Sequence, residues 1–364
     1  MAENKEKKVL NVPNLRFPEF EGEWEESTIE KQFELYSGNT PSRINKELFN
    51  GTINWISSGE LKEHYIYSTK ERISQEAANN LKLLSVDTFV IAIYGLEAEG
   101  VRGTGSITQE PSTISQACMA FTPKGEITNE FLYSWYKKHG NVIGVKYAQG
   151  TKQQNLSYDI LEKFKISYPN VKEQDKLNLF FSLIDKRIST QNKIIDKLQS
   201  LIKGITQNIV HHNKPNVHIS DCMEYSTSTL QESDVLENGI YPVYGANGIV
   251  GYLDNYNTQN EAIYIIKDGS GVGTVSYVTG KCSATGTLNI LQAKEGFALQ
   301  YLYYLLKVFN FEPYKTGMAV PHIYFKDYSK AKVFCPSNTV QLQYAKLLSV
   351  IDCKLSTEQD ILTR

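Results

Sequence analysis

The chain is built twice from one unit, and this internal duplication limits the folds that it can adopt. Residues 147–195 recur without a gap at 314–362, at a constant offset of 167 residues. Further upstream, residues 92–137 pair with 262–307 at an offset of 170. Because this repeat is far longer than a solenoid period, it indicates a duplicated domain. Two similar surfaces suit a partner with two similar sites, such as DNA half-sites or paired subunits. The alternative is an old duplication retained only for folding.

Length, charge and composition do not determine the class of protein, but they argue against some classes. A length of 364 residues predicts two or more domains, and the net charge of −2 argues mildly against a chain that binds nucleic acid over its whole surface. Five scattered cysteines without CxxC spacing indicate reduced thiols in a cytoplasmic protein. No apolar run is long enough to span a bilayer, and the charged segment 1–8 is not a signal peptide.

The end of each copy carries a long helical pattern. From about 173 to 211 the apolar residues follow a heptad, which is typical of a coiled coil. The polar residues Gln191 and Glu358 hold equivalent positions in the two copies and can fix the register. The alternative is a single amphipathic helix buried against its own domain. Because Arg364 matches Lys197, the second helix is either truncated or naturally shorter. The predicted seam residues are Phe181, Ile184, Ile188, Ile195, Leu198, Ile202, Leu348, Ile351, Leu355 and Leu362.

Short β-branched or aromatic segments precede each long helix and are bounded by Gly, Ser, Pro or Asn, as strands are. The predicted fold class is therefore α+β, with two tandem domains that are each followed by a long helix. We predict a disordered tail at 1–12, a first domain at 13–170, a first helix at 171–212, a second domain at 213–337 and a shorter second helix at 338–364.

The motifs of catalysis and metal binding are missing. The glycine-rich run 268–274 lacks the Gly-Lys-Ser/Thr ending of a phosphate-binding loop, so it is either a flexible loop or a place where backbone approaches DNA. Glu60 and Lys62 have the Glu-x-Lys spacing of nucleases but no upstream Asp in context. His218 and Cys222 stand four residues apart without further ligands. The sequence therefore predicts neither a catalytic nor a metal site.

Several longer motifs carry a resemblance to one family. Residues 12–24, VPNLRFPEFEGEW, resemble the opening of type I restriction–modification specificity subunits. Residues 36–42 and 53–60 resemble the start of that family's target recognition domain, and 241–252 resemble another common version of it. Residues 150–157 resemble the turn that leads to the spacer helix. The resemblance covers nearly the whole chain, and the order of parts agrees.

This resemblance implies an architecture and a set of partners. Two target recognition domains would lie at opposite ends of a pair of spacer helices, which form an antiparallel coiled coil. Each domain would read one half of a split, asymmetric sequence in double-stranded DNA. The helices would set the gap and dock two modification subunits, which methylate adenine with S-adenosylmethionine. Restriction subunits would add ATP- and Mg²⁺-dependent translocation and cleavage in the cytoplasm of a bacterium or archaeon.

On this interpretation the chain itself holds no cofactor and no metal, and it is not an enzyme. Two other interpretations stay open. The first is a silent or truncated specificity cassette that acts by recombination or by pairing with another copy. The second is a self-contained nuclease or methyltransferase, against which the missing motifs speak.

Candidate DNA contacts follow from the chemistry of recognition. Phosphate contacts position a protein, and paired donors and acceptors read base edges. The extra segment at 40–91 makes the two domains unlike, so we expect unlike half-sites about 10 bp apart centre to centre. The phosphate candidates are Lys137, Lys138, Lys146, Lys152, Lys307 and Lys315. The alternative is that these are ordinary solvated lysines. The base-edge candidates are Arg43, Asn45, Arg102, Gln116, Thr151, Lys152 and Gln153 in the first domain and Asn247, Lys267, Ser270, Thr285 and His322 in the second.

Overall fold

The chain folds into two compact units, unit 1 at Met1–Lys186 and unit 2 at Arg187–Arg364. The computed structural model describes residues 11–98, 100–150, 152–317 and 320–363. The predicted tail therefore lies almost wholly outside the described residues. None of the helices in the described part of the chain combines the length and apolar content that crossing a bilayer requires.

Unit 1 combines helices and strands around one main sheet. Its elements, in chain order, are β1 (Glu25–Thr28), α1 (Ile29–Gln32), β2 (Phe33–Ser37), β3 (Ile53–Ile56), β4 (Tyr65–Ile66), β5 (Arg72–Ile73), α2 (Gln75–Ala78), β6 (Phe89–Ala92), β7 (Gly105–Thr108), β8 (Ser112–Ile114), β9 (Cys118–Pro123), α3 (Asn129–Tyr147), α4 (Tyr158–Leu161), β10 (Lys165–Tyr168) and α5 (Val171–His211), the last of which continues into unit 2.

The main sheet of unit 1 has the strand order β2-β9-β6-β7-β4. All four residues of β6 are buried, which is expected for a central strand made of Phe, Val, Ile and Ala. Helix α3 packs Phe131, Leu132 and Tyr136 into the same core. Two smaller sheets, β5-β3-β8 and β1-β10, complete the unit.

Unit 2 repeats this plan. Its elements after α5 are β11 (Val217–His218), α6 (Ile219–Cys222), β12 (Met223–Thr227), β13 (Tyr241–Gly245), β14 (Gly248–Leu253), β15 (Glu261–Ile266), β16 (Val275–Thr279), β17 (Ser283–Ala284), β18 (Leu288–Ala293), α7 (Leu299–Lys307), α8 (Phe325–Tyr328), β19 (Lys332–Val333) and α9 (Asn338–Thr363).

The duplication holds strand by strand. Unit 2 has a main sheet β12-β18-β15-β16, a small sheet β14-β13-β17 and a pair β11-β19. In both units the small sheet contains one parallel pair, β3 with β8 and β13 with β17. The extra segment at 40–91 contributes β4, which lengthens the main sheet of unit 1 to five strands. The predicted α+β class with two tandem domains and two long helices is thus present.

A buried glutamine at the start of each long helix fixes the helix to its domain. In unit 1, Gln174 Oε1 accepts hydrogen bonds from the Thr128 amide (2.9 Å) and hydroxyl (3.2 Å), while its Nε2 donates to the carbonyls of Glu126 (3.0 Å) and Pro169 (2.9 Å). Thr128 is the N-cap of α3, so one side chain joins the first turn of α5 to the start of α3.

The matching residue Gln341 does the same in unit 2. It accepts from the Ala298 amide at 2.9 Å and donates to the Pro336 carbonyl at 2.8 Å. Ala298 is the N-cap of α7 and supplies no side-chain cap of its own. Gln341 therefore gives the Ala298 amide an acceptor that it would otherwise lack at this buried helix start.

The predicted seam divides into a buried and an exposed part. Ile195 and Ile202 from the second half of α5 are buried in the core of unit 2, with Leu348 and Leu355 of α9. Leu198 and Ile351 are partly buried against the same core. Gln191 donates to the Glu358 carbonyl at 2.9 Å and also to its carboxylate, so the two polar seam residues do contact one another. The seam residues that stay exposed are Phe181, Ile184, Ile188 and Leu362.

Candidate nucleic-acid interface

In unit 1, most of the base-edge candidates lie in loops at one end of the strands of the main sheet. We call this end of the sheet the loop edge. Because β6 is antiparallel to both β7 and β9, the loop after β6 and the turn before β9 meet at that edge. The amides of Ile93 and Tyr94 both donate to the Ala117 carbonyl, at 2.9 and 3.4 Å. Gln116 is exposed in the turn beside it. A glutamine presented there has the free amide that adenine recognition requires.

A second loop closes onto the same edge. Gln149 and Asn155 exchange two backbone hydrogen bonds of 2.8 Å, which folds the intervening residues into a tight loop. Gly150 adopts φ +107°, and a Cβ there would lie 2.1 Å from the Gln153 carbonyl, so the turn requires glycine. Lys152 and Gln153 are exposed at its tip. The candidate Thr151 lies outside the described residues.

Arg102 joins the two loops rather than standing free. Its Nη2 donates to Gln154 Oε1 at 2.6 Å, and its aliphatic stem lies over Gly144, where a Cβ would come within 2.6 Å of the Arg102 Cγ. Glu97 Oε2 accepts from the Gln154 amide at 2.7 Å, and this hydrogen bond holds the pKa of the Glu97 carboxyl below its usual value. Arg102 therefore positions the loop tip, and Gln154 is a loop residue that the sequence did not single out.

Arg43 and Asn45 belong to the loop that precedes the small sheet. The Arg43 guanidinium pairs with Glu71, with one contact of 2.8 Å, and lies 4.2 Å from the Phe49 ring centre. Hydrogen bonding to Glu71 raises the pKa of Arg43. Asn45 accepts from the Glu47 amide at 3.2 Å and caps the short helical turn Lys46–Phe49. Both side chains are exposed but engaged within unit 1, so contact with DNA would require them to exchange partners.

The phosphate candidates on α3 differ in position. Lys146 is exposed in the last turn of α3, directly before the 149–155 loop, with its Nζ 5.3 Å from the Tyr147 ring centre. Lys137 lies two turns earlier, 5.9 Å from the Tyr133 ring centre, and Lys138 lines a cavity on the side of α3 that faces α5. Of the three, Lys146 adjoins the loop edge.

Unit 2 presents the equivalent edge. Thr316 and His322 exchange backbone hydrogen bonds of 2.9 and 2.8 Å, as Gln149 and Asn155 do in unit 1. The loop at 267–274 is tied to this turn, because the Gly269 amide donates to the Pro321 carbonyl at 3.0 Å.

The candidates at this edge have defined surroundings. Ser270 is exposed, and Lys267 Nζ donates to Thr227 Oγ1 at 3.2 Å. His322 is half-buried, with its Nδ1 3.1 Å from the Val320 carbonyl. Asn247 is exposed in the tight turn between β13 and β14, where Gly248 adopts φ +99°. Among the described residues, unit 1 has no counterpart of this hairpin turn, so the turn distinguishes the two edges.

Three other candidates of unit 2 are placed unfavourably. Thr285 is only 1% exposed and its hydroxyl lies 2.8 Å from that of Thr287, so it holds a buried turn and does not reach a base in this structure. Lys315 is paired with Glu312 at 2.6 Å. Lys307 lines a cavity of about 530 Å³ together with residues of α5 and α9, so it faces these helices rather than the loop edge.

Exposed aromatic residues at both edges were missed by the sequence analysis. Tyr94 lies in the loop after β6, and Tyr324 follows His322, whose ring centre is 5.3 Å away. Lys326 Nζ lies 5.2 Å from the Tyr324 ring centre. Tyr94 and Tyr324 each stand one or two positions after a residue of the loop edge. This spacing is the sequence signal that could have found them. Across the described residues, no group of three or more His, Cys, Asp or Glu side chains could hold a metal ion.

Comparison with known proteins identifies the family. A family model described as the type I restriction modification DNA specificity domain matches residues 21–200 and 214–364, and the chain therefore belongs to this family. The two matched ranges correspond to the two copies of the duplicated unit.

Individual relatives agree. The chain is 29% identical over 182 residues to the specificity subunit of the type I restriction enzyme MjaIX of Methanocaldococcus jannaschii, covering 48% of this chain but only 42% of that subunit. It is 23% identical over 366 residues to the EcoprrI specificity subunit of Escherichia coli, covering 89% and 86% of the two chains. The fold is similar to the crystal structure of a type I restriction–modification S subunit from M. genitalium, with a TM-score of 0.66 at 18% identity over 97% and 95% of the chains. The predicted fold class and family are thus confirmed.

Proposed function

We propose that this chain is the non-catalytic specificity subunit of a type I restriction–modification complex and reads a bipartite, asymmetric DNA target. The observation that carries the proposal is the duplicated loop edge. The same pair of loops closes on the same sheet edge in each unit, yet the exposed side chains differ. One fold that presents two unlike sets of donors and acceptors suits two unlike half-sites.

The partners follow from the family. The spacer helices would pair as an antiparallel coiled coil, supported by the Gln191–Glu358 contact, and would dock two modification subunits. Those subunits would hold S-adenosylmethionine and methylate adenine, and restriction subunits would use ATP and Mg²⁺. A complex that acts on cellular DNA would work in the cytoplasm of a bacterium or archaeon.

The proposal is tested by mapping methylation, at single-molecule resolution, in DNA from cells that express this chain with its cognate modification subunit. The expected result is one split motif with methyladenine in each half. A soluble complex that methylates no motif, or an unsplit one, would contradict the proposal.

Single substitutions at the loop edges are expected to relax one half-site each. Gln116→Ala removes one exposed side-chain amide of unit 1, and Asn247→Ala removes one of unit 2. Loss of one bidentate contact to a base costs about 1–3 kcal/mol of discrimination. We therefore expect degenerate bases in one half of the methylated motif and an unchanged other half, with the halves exchanged between the two variants. Gln75→Ala, an exposed glutamine on α2, is the matched control. Equal relaxation of both halves by either variant would refute the assignment of one unit to one half-site.

Substitution of the lysines at the edge of unit 1 is expected to weaken binding without changing specificity. Lys146→Ala and Lys152→Ala each remove one cation that is suited to a phosphate contact. The affinity for specific and for unrelated DNA should fall by a similar factor, and the slope of log K against log salt should decrease by about 1. Titrations at several salt concentrations measure this slope. Lys172→Ala, which changes an exposed lysine in the first turn of α5 that is not among the candidates, serves as the control. An unchanged slope in the Lys146 and Lys152 variants would remove them from the interface.

A further inference from the structure

Unit 2 contains two cysteines that lie next to each other although they are 113 residues apart in the sequence. Cys222 is the last residue of α6, and Cys335 stands two residues after β19. Both belong to the core of unit 2, where Cys222 is fully buried and Cys335 is 5% exposed. Their thiols are free and lie within hydrogen-bonding range of one another. Two thiols in contact are the starting point from which a disulfide can form.

The duplicated unit 1 shows independently that these two positions face each other. Helices α1 and α6 align at an offset of 190, so Cys222 corresponds to Gln32, and at the offset of 167 Cys335 corresponds to Tyr168. Gln32 Nε2 donates to the Tyr168 hydroxyl at 3.2 Å, and this contact is buried. Both units therefore keep a side-chain contact between the end of the short helix and the segment before the long helix. In unit 2 both positions carry a thiol.

The backbone is held in place on both sides of the pair. Asn216 Nδ2 donates to the Cys335 carbonyl, and Asn216 Oδ1 accepts from the Cys335 amide, both at 2.8 Å. The Lys294 amide donates to the Cys222 carbonyl at 3.0 Å. Because folding has already fixed both backbones with the thiols in contact, joining the two sulfur atoms costs little further conformational entropy.

The contact makes the two thiols unequal. The hydrogen bond with Cys222 lowers the pKa of Cys335, whereas the same hydrogen bond and burial raise the pKa of Cys222. The thiolate is the reactive form of cysteine. Cys335 is also the more exposed of the two, so it is the thiol that an oxidant meets first.

We propose that Cys222 and Cys335 are a redox-active pair that forms an intramolecular disulfide in the presence of hydrogen peroxide. The Cys335 thiolate attacks one oxygen of the peroxide, which gives a sulfenic acid and releases hydroxide. The Cys222 sulfur then attacks the Cys335 sulfur, the S–S bond forms, and the sulfenic oxygen leaves as water. In total the two thiols lose two protons and two electrons, and one peroxide is reduced to two waters.

The disulfide would join the two ends of the second domain. Helix α6 leads directly into β12 of the main sheet, and Cys335 directly precedes Pro336, whose carbonyl accepts from Gln341 near the start of α9 at 2.8 Å. Closing so long a stretch of chain restricts the unfolded ensemble, so oxidation should make unit 2 more resistant to urea. The proposal does not depend on the function proposed above and is tested without DNA.

The experiment uses the full chain with Cys353→Ser, which removes the exposed cysteine and with it a source of intermolecular disulfides. The reduced chain is treated with hydrogen peroxide under native conditions, and the remaining thiols are then alkylated in denaturant. Mass spectrometry of the intact chain and of its peptides is expected to show the loss of two alkylatable thiols and one cross-link, between the peptides that contain Cys222 and Cys335. Dithiothreitol should restore both thiols.

Cys282→Ala is the matched control, because Cys282 is also buried in unit 2 but lies beside the Tyr264 hydroxyl, at 3.3 Å. This variant should form the same cross-link, whereas Cys335→Ala should form none. In the chains that cross-link, oxidation should raise the midpoint of urea denaturation followed by circular dichroism. The midpoint followed by tryptophan fluorescence should not change, because all three tryptophans lie in unit 1.

Two results would overturn the proposal. One is that Cys222 and Cys335 stay alkylatable, or are oxidised to sulfinic acid without a cross-link, under conditions that oxidise Cys353 of the parent chain. The other is a cross-link that forms only in urea, because the native contact would then not support it. Both results are read from chains that keep the two cysteines, so they do not depend on whether Cys335→Ala folds.

Discussion

Gln174→Leu is expected to lower the free energy of unfolding of unit 1 by about 3–5 kcal/mol, since each buried polar group left without its partner costs about 1–3 kcal/mol. Gln174 is fully buried, and its side chain satisfies the Thr128 amide and the carbonyls of Glu126 and Pro169. Leucine fills a similar volume but leaves all three without this partner. The start of α3 and the start of α5 should therefore lose their shared anchor, and the midpoint of urea denaturation should fall steeply.

The chain provides its own control for this result. All three tryptophans, Trp24, Trp55 and Trp135, lie in unit 1, so their fluorescence reports on the unfolding of that unit. Gln341→Leu makes the same change in unit 2, where two backbone partners are lost, and is expected to cost about 2–3 kcal/mol. It should shift the denaturation followed by circular dichroism but leave the tryptophan midpoint in place. A Gln174 variant with an unchanged tryptophan midpoint would show that water or local rearrangement replaces the glutamine.

The elements that the sequence predicts well are those set by local patterns. The heptad of apolar residues predicts a helix at 171–212, and α5 spans Val171–His211. The duplication predicts two units of one plan, and the sheets repeat strand by strand. A periodic pattern gives the phase of a helix face, however, and not what covers that face. The heptad therefore cannot distinguish the exposed Phe181 from the buried Ile195.

The site is harder to predict because its contacts join distant parts of the chain. Gln116 and Thr285 are both polar residues in turns of the small-sheet region, yet one is exposed and the other is buried. Thr285 is 1% exposed, and its amide donates to the Tyr244 carbonyl, a partner 41 residues away in the sequence. Arg102 likewise is bound to Gln154, so its role in holding a loop follows from tertiary structure alone.

A heptad inserted into the exposed part of α5 is expected to lengthen the gap between the two methylated half-sites. The suitable place is after Ile188, because Ile195 and Ile202 further on are buried in unit 2 and an insertion among them would break that core. A second copy of residues 182–188 preserves the phase of the seam. It adds about 10 Å of helix, which corresponds to about three base pairs of B-DNA.

Methylation mapping measures the gap directly. The two half-site sequences should be unchanged and the gap should be longer by that amount, because the insertion alters neither loop edge. As a control, the same seven residues inserted after Gly280, an exposed turn residue at which an added Cβ would meet no atom within 4 Å, should leave the gap unchanged. A methylated motif with the original gap after the α5 insertion would mean that this helix does not set the spacing. The gap would then be determined by the subunits that dock on the chain rather than by the length of α5.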